Sequence, residues 1–165
     1  VTLTQKIQFE QLYDAYHRMV YRLCLGFLKG NEDQAKDLTQ EAFIQVWNNL
    51  GRFRQDSSPK TWIYRIAVNT CLNYLKREKL HSKRLEEIAL HQVSSEEITL
   101  TEKDPVKALY EAMAGLSEVD RLITGLLLEE VPQEQIVAIL GITEGNLRVK
   151  IHRIKQRLKK LINHE

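Results

Sequence analysis

The sequence predicts an all-α fold made of two small helical domains joined by a linker. Seven glycines and three prolines in 165 residues leave too few turns for a fold of many short strands. Apolar residues recur at steps of three, four and seven over long stretches, the period of amphipathic helices. Between residues 81 and 104 that pattern gives way to an acid-biased stretch without Phe, Trp or Tyr, ending at Pro105. Hydrophobic residues at 43% and charged residues at 28% are the balance of a globular chain.

Each element follows from its own residues. From Phe9, the positions Leu12, Tyr13, Tyr16, Val20, Leu23 and Phe27 keep helical spacing up to Gly30-Asn31. A second helix runs from after Asn31 to about Asn49, with Glu32 and Asp33 suiting its positive N-terminal end. Its core stripe is Ala35, Leu38, Ala42, Val46 and Leu50. A polar loop, Gly51 to Pro59, leads to a third helix from about Lys60 to Lys79. Its inner side is Ile63, Ile66, Ala67, Thr70, Cys71 and Tyr74. Residues 81–104 read as a tether with at most short helical pieces such as Arg84–Val93. Pro105 suits the first position of a fourth helix, with Val106, Leu109, Ala112 and Met113 on one face. Ser117 caps a helix over Glu118–Leu128, and two more follow at Pro132–Leu140 and Glu144–Ile162.

The net charge of +2 conceals a segregation. Residues 1–80 carry 12 Lys/Arg against 8 Asp/Glu, and residues 81–105 carry 3 against 6. Residues 106–145 carry 2 against 7, whereas residues 146–165 carry 7 against 1. A basic terminus of that density on a periodic helix is the electrostatic footprint of a nucleic-acid partner. Cys24 and Cys71 have no metal-ligand spacing and read as free thiols in a reducing cytosol. No apolar run approaches the roughly 18–20 residues that span a bilayer, and the chain does not open on a signal peptide. A cytoplasmic protein without membrane insertion, metal or cofactor is expected. The histidines at 17, 81, 91, 152 and 164 are scattered without ligand or triad spacing, which argues against an enzyme.

The stretch Gln133–Arg153 has the layout of a helix-turn-helix. Ile136, Val137 and Leu140 pack its first helix, Gly141 takes the tight turn, Ile142 plugs the corner and Thr143 caps the second helix. Leu147, Ile151, Ile154 and Leu158 form the inward stripe of that second helix. A helix in the major groove reads base edges with its first turns and meets phosphates with its flanks. Glu144, Asn146, Arg148, Val149 and His152 are placed for bases, and Lys150, Arg153 and Lys155 for phosphates. Such a domain needs about half this length, so the first 80 residues do something else.

Two surfaces of the N-terminal half stand out. The second helix presents Asp37, Gln40, Glu41, Ile44 and Trp47 opposite its core stripe; an Ile and a Trp among acids and amides suit a protein partner, or a second buried face. The third helix lines up Trp62, Arg65, Asn69, Asn73 and Lys76, preceded by Arg52, Phe53, Arg54 and Lys60. Cations for phosphates, amides for base edges and aromatics for stacking are what melted DNA requires. A plain solvated face is the alternative for that row.

Asp37-Leu-Thr-Gln-Glu-Ala-Phe-Ile-Gln-Val-Trp47, Phe53, Lys60-Thr-Trp-Ile-Tyr-Arg-Ile-Ala-Val-Asn69 and Tyr74-Leu-Lys-Arg77 closely resemble conserved region 2 of the extracytoplasmic-function (ECF) sigma factors. Leu116-Ser-Glu through Ile136 to Arg153 resembles region 4 of the same family, in the family's order and with its short linker. The resemblance implies a region 2 domain over residues 1–80, an acidic linker over 81–104 and a region 4 domain over 105–165. It implies docking of Asp37, Gln40, Glu41, Ile44 and Trp47 on the clamp helices of the RNA polymerase largest subunit. Capture of the melted −10 element falls to Arg52, Phe53, Lys60, Trp62, Arg65, Asn69, Asn73 and Lys76, and −35 recognition to residues 143–155. The implied partners are core polymerase (clamp helices and flap region), promoter DNA and an anti-sigma factor. Glu96, Glu97 and Glu102 suit a linker running through the polymerase's basic nucleic-acid path, or a plain solvated tether. Val137, where Ala is usual, Val149, where a small polar residue is frequent, and Lys150, where Arg is frequent, depart from the pattern. The competing reading is a stand-alone helix-turn-helix regulator with a sensing or dimerising N-terminal domain, which predicts tight duplex binding without polymerase.

Overall fold

A computed structural model describes residues 1–88 and 105–163. Among them are seven α-helices and no strand: α1 (Leu3–Phe27), α2 (Glu32–Asn49), α3 (Pro59–Ile88), α4 (Pro105–Ala114), α5 (Glu118–Leu128), α6 (Gln133–Leu140) and α7 (Glu144–Ile162). A short 3-10 turn, Leu50–Arg52, follows α2.

Side-chain caps mark most of the starts. Thr2 and Gln5 form a reciprocal capping box that begins α1 six residues ahead of the expected Phe9. Asn31, Ser117 and Thr143 each accept from the backbone N–H three residues on, at 3.1, 3.3 and 3.1 Å, opening α2, α5 and α7. Ser58 accepts from Thr61 N–H at 3.2 Å, which starts α3 at Pro59.

One boundary differs from expectation. α3 does not stop at Lys79 but continues to Ile88, so the tether expected from residue 81 is helical over its first eight positions. No Gly or Pro interrupts residues 60–88, and Lys, Arg, Leu and Glu there favour helix, so the change of composition at His81 does not end the helix. The remaining tether residues, with Glu96, Glu97, Glu102 and the second half of the Arg84–Val93 piece, lie outside the described residues.

Helices α1, α2 and α3 pack into a bundle. The whole α2 stripe of Ala35, Leu38, Ala42, Val46 and Leu50 is buried in it. The second half packs through Met113, Leu116, Leu122, Ile123, Leu126, Ile136, Ile139, Leu147, Ile151 and Ile154. Val106, assigned to the inner face of α4, is exposed. The two halves do not stand apart: α5 lies along α1 and α6 sits on α3, and one apolar core runs through both. Gly125 permits the first contact, since a Cβ there would lie 2.9 Å from Leu23 Cδ1.

Two buried groups yield direct expectations. Cys24 and Cys71 have no solvent exposure, and the neighbouring Cys24 thiol together with burial holds the Cys71 thiol well above its usual range. Both should resist a soluble disulfide reagent until the chain unfolds; rapid labelling of the native protein would show the packing to be wrong. Tyr64 is buried, and its hydroxyl has no hydrogen-bond partner among the described residues. Tyr64→Phe should therefore keep or raise the unfolding free energy, by up to about 1 kcal/mol, because an unpaired buried hydroxyl costs more than it returns. A loss of that size in denaturant titration would mean the hydroxyl is paired.

Candidate nucleic-acid and partner interfaces

Helices α6 and α7 form the expected helix-turn-helix. Gly141 closes α6 at φ 66°, the left-handed conformation that glycine adopts freely, and Thr143 caps α7 two residues later. Ile136 is buried as expected, with Ile139 beside it; Val137, Leu140 and Ile142 pack on the core from its edge. Ile139 was missed because the expected stripe followed Val137 and Leu140, one step round the helix. Leu147, Ile151 and Ile154 turn inward, which leaves the other face of α7 in solvent.

That outward face carries the residues expected to meet DNA. Thr143, Glu144, Asn146, Arg148, Val149, His152, Arg153 and Lys155 are exposed and Lys150 is half-buried. Arg148 reaches back to Glu144 at 3.8 Å, a loose i,i+4 pair in water that DNA phosphates or bases can displace. With Lys159 and Lys160 in its last turn, α7 is cationic along its length.

The second surface lies on α3 and the loop before it. Arg65, Asn69, Asn73 and Lys76 project into solvent from successive turns, and Arg52 is exposed in the 3-10 turn. The loop folds back so that Phe53 tilts against Trp62, ring centroids 4.6 Å apart, with Lys60 half-buried beside them. The geometry thus joins an aromatic platform to a row of cations and amides.

The third surface is the outer face of α2. Asp37 and Gln40 are exposed and Ile44 is 57% exposed, a large value for a β-branched apolar residue. Trp47 is half-buried because Phe9 of α1 meets it edge-on at 5.2 Å. Glu41 is engaged: Arg77 of α3 donates from Nη2 to both carboxylate oxygens, at 2.9 and 3.0 Å. Sequence reasoning missed the aromatic array beside this face, where Tyr13 meets Phe43 edge-on at 4.9 Å and stacks on His17 at 4.8 Å. Tyr13 fits the helical stripe of α1, yet it is 40% exposed. The stripe straddles the bundle edge, and spacing alone does not separate its core members from its rim.

A helical bundle with an exposed acid-and-aromatic face, joined to a helix-turn-helix with a cationic outer face, has the features expected of a DNA-directed transcription protein. The Sigma-70 region 2 family profile matches residues 12–81. The ECF RNA polymerase sigma-E factor of Escherichia coli K12 is 32% identical over 160 residues, covering 90% of this chain and 83% of its own length. The ECF RNA polymerase sigma factor SigM of Mycobacterium tuberculosis H37Rv is 28% identical over 160 residues, covering 94% and 78%. The Bartonella quintana sigma factor RpoE, solved with the anti-sigma factor NepR, shares the fold at a TM-score of 0.75 and 19% identity, over 96% of this chain and 98% of that one. CnrH, solved with the cytosolic domain of CnrY, does so at 0.70 and 17%, over 97% and 90%. The chain belongs to the ECF RNA polymerase sigma factors. No helix among the described residues is long and apolar enough to cross a membrane.

Proposed function

We propose that this sigma factor docks on core polymerase through Asp37, Gln40, Ile44 and Trp47 of α2 and directs initiation by binding two promoter elements. Phe53, Trp62, Arg65, Asn69, Asn73 and Lys76 take the melted −10 strand, with Arg52 and Lys60 on its backbone. Residues 143–155 of α7 read the −35 duplex. It acts as an initiation factor in the cytoplasm, without chemistry of its own. The domain assignment becomes residues 1–80 for docking and −10 capture and 105–165 for −35 recognition.

The observation that carries this reading is the joint exposure of the three surfaces on separate helices, each of the right chemistry. Phosphate contacts by the α7 cations supply affinity and base contacts supply selection. An unstacked base held against Phe53 and Trp62 offsets part of the few kcal/mol that unstacking costs. An anti-sigma factor is proposed as a further partner, supported by the similar sigma factor RpoE, solved with the anti-sigma factor NepR.

Arg148→Ala and Asn69→Ala separate the two DNA roles. With core polymerase present, Arg148→Ala should lower initiation about tenfold on a promoter with a −35 element and leave a −35-independent template unchanged. Asn69→Ala should reduce strand opening, read by permanganate footprinting, on both templates. Equal losses for Arg148→Ala on the two templates would show that α7 does not read the −35 element.

A further inference from the structure

We propose that the last turns of α3 hold the double-stranded DNA upstream of the −10 element, gripping its phosphates with Lys79 and Lys83. The proposal rests on the reading of this chain as a sigma factor that captures the −10 strand on the earlier turns of the same helix. α3 continues to Ile88, past Lys76, the last residue assigned to strand capture. Every residue from Lys76 to Glu86 is exposed, so these turns bury no stripe against the bundle. Their charge is sorted by side. At about 3.6 residues per turn, Arg65, Asn69, Lys76 and Lys83 fall within about 40° of one line, with Lys79 next to it. Arg77 and Arg84 turn the other way. With Asp37, Glu41 and Glu78 they line a groove between α2 and α3, where Glu41 holds Arg77 at 2.9 Å. Glu78 is the single acid between residues 62 and 83, so the lysine side of that stretch carries positive charge alone. Glu86 and Glu87 then end the run of cations in the sequence.

The residue types along this line separate two jobs. Its early part joins the Phe53–Trp62 aromatic pair to Asn69 and Asn73, the groups that exposed bases need. Residues 77–86 contain no Phe, Tyr, Trp, Asn or Gln. Lysines without stacking or amide partners meet phosphates, whatever the base sequence. The helix rises about 1.5 Å per residue, so Lys83 stands roughly 20 Å beyond Asn69. That is the length of about six base pairs at 3.4 Å each. From the end of α3 the chain continues to the half that carries α7, so the extension points to the −35 side of the captured strand, where the DNA stays paired. Lys79 and Lys83 therefore lengthen the footprint upstream and raise affinity without adding sequence preference.

The test measures how salt changes DNA binding by the full chain in complex with core polymerase, on two fluorescent templates that share a pre-melted −10 element. The long template carries the paired spacer and the −35 element; the short one ends just upstream of the −10 element. With Lys79→Ala and Lys83→Ala combined, the slope of log affinity against log salt on the long template should become shallower by about two, one for each phosphate contact. The loss of affinity should accordingly be about tenfold larger at 50 mM than at 200 mM salt. On the short template the native chain and the variant should bind alike. Lys79→Arg with Lys83→Arg should keep the native slope, because each charge is retained. A native slope in the alanine variant, an equal change on both templates, or weaker binding of that variant to core polymerase without DNA would each overturn the proposal. A native complex that binds intact and scrambled −10 elements alike would instead reject the functional reading, while the slopes on the long and short templates still decide the two lysines.

Discussion

Asp37→Lys combined with Ile44→Glu should weaken binding to core polymerase at least about a hundredfold, since two central contacts of an interface are each worth 2 kcal/mol or more. The thermal unfolding midpoint should barely move. Both side chains project from the outer face of α2, opposite Ala35, Leu38, Ala42 and Val46, so their replacement leaves the bundle core intact. Ile44 is the apolar centre of that face and Asp37 its exposed charge. Glu41 would be a poorer probe although it shares the face. Its carboxylate is held by Arg77, and Glu41→Lys would oppose two cations and disturb the α2–α3 contact as well as any docking. Core affinity unchanged in the double variant, measured by fluorescence anisotropy, would remove α2 from the docking surface.

Arg121→Ala should cost about 3 kcal/mol of unfolding free energy, the scale of losing a buried, multiply bonded cation. The loss has two parts. The Phe27 and Leu116 carbonyls forfeit charged donors, and the long side chain leaves a void where α1, α4 and α5 meet. Burial draws the guanidinium below its usual pKa range, with the Glu118 charge opposing the shift. Arg121→Lys should recover only part of the loss, because one ammonium on a flexible stem cannot fork to both carbonyls. Denaturant titration giving less than about 1 kcal/mol for Arg121→Ala would mean that Arg121 contributes little to holding α5 against the end of α1.

The contrast between α2 and α3 shows what periodicity can and cannot supply. α2 is buried on one side, so its stripe from Ala35 to Leu50 is legible at helical spacing, and its outward residues are the complement of that stripe. α3 is buried on more than one side. Ile63, Ala67 and Cys71 follow the expected stripe, but Tyr64 and Val68 are equally buried and lie off it. Burial, with a smaller contribution from the Glu129 charge, holds the Tyr64 hydroxyl above its usual range. No window along the chain contains the ion pair of Arg22 with Glu129. Arg121 escaped for the same reason: a lone Arg on a helix reads as solvated until its partners, the carbonyls of Phe27 and Leu116, are in place.

The exposed faces were more legible in the sequence than the docking of the halves. Gly141 and Thr143 have fixed backbone meanings, a left-handed turn and an N-cap, and both are observed. The Trp62 and Asn69 face follows from spacing within one helix. The Phe53–Trp62 contact, by contrast, depends on how the Gly51–Pro59 loop folds back, and loop geometry has no period to read.

The most direct measurement mixes the chain with sigma-free core polymerase and a library of promoter templates and sequences the 5′ ends of the transcripts. A stable complex is expected, with transcripts from defined start sites, each preceded by a shared pair of elements near −35 and −10. Failure to associate with core, or start sites no different from those of core alone, would contradict the proposed function.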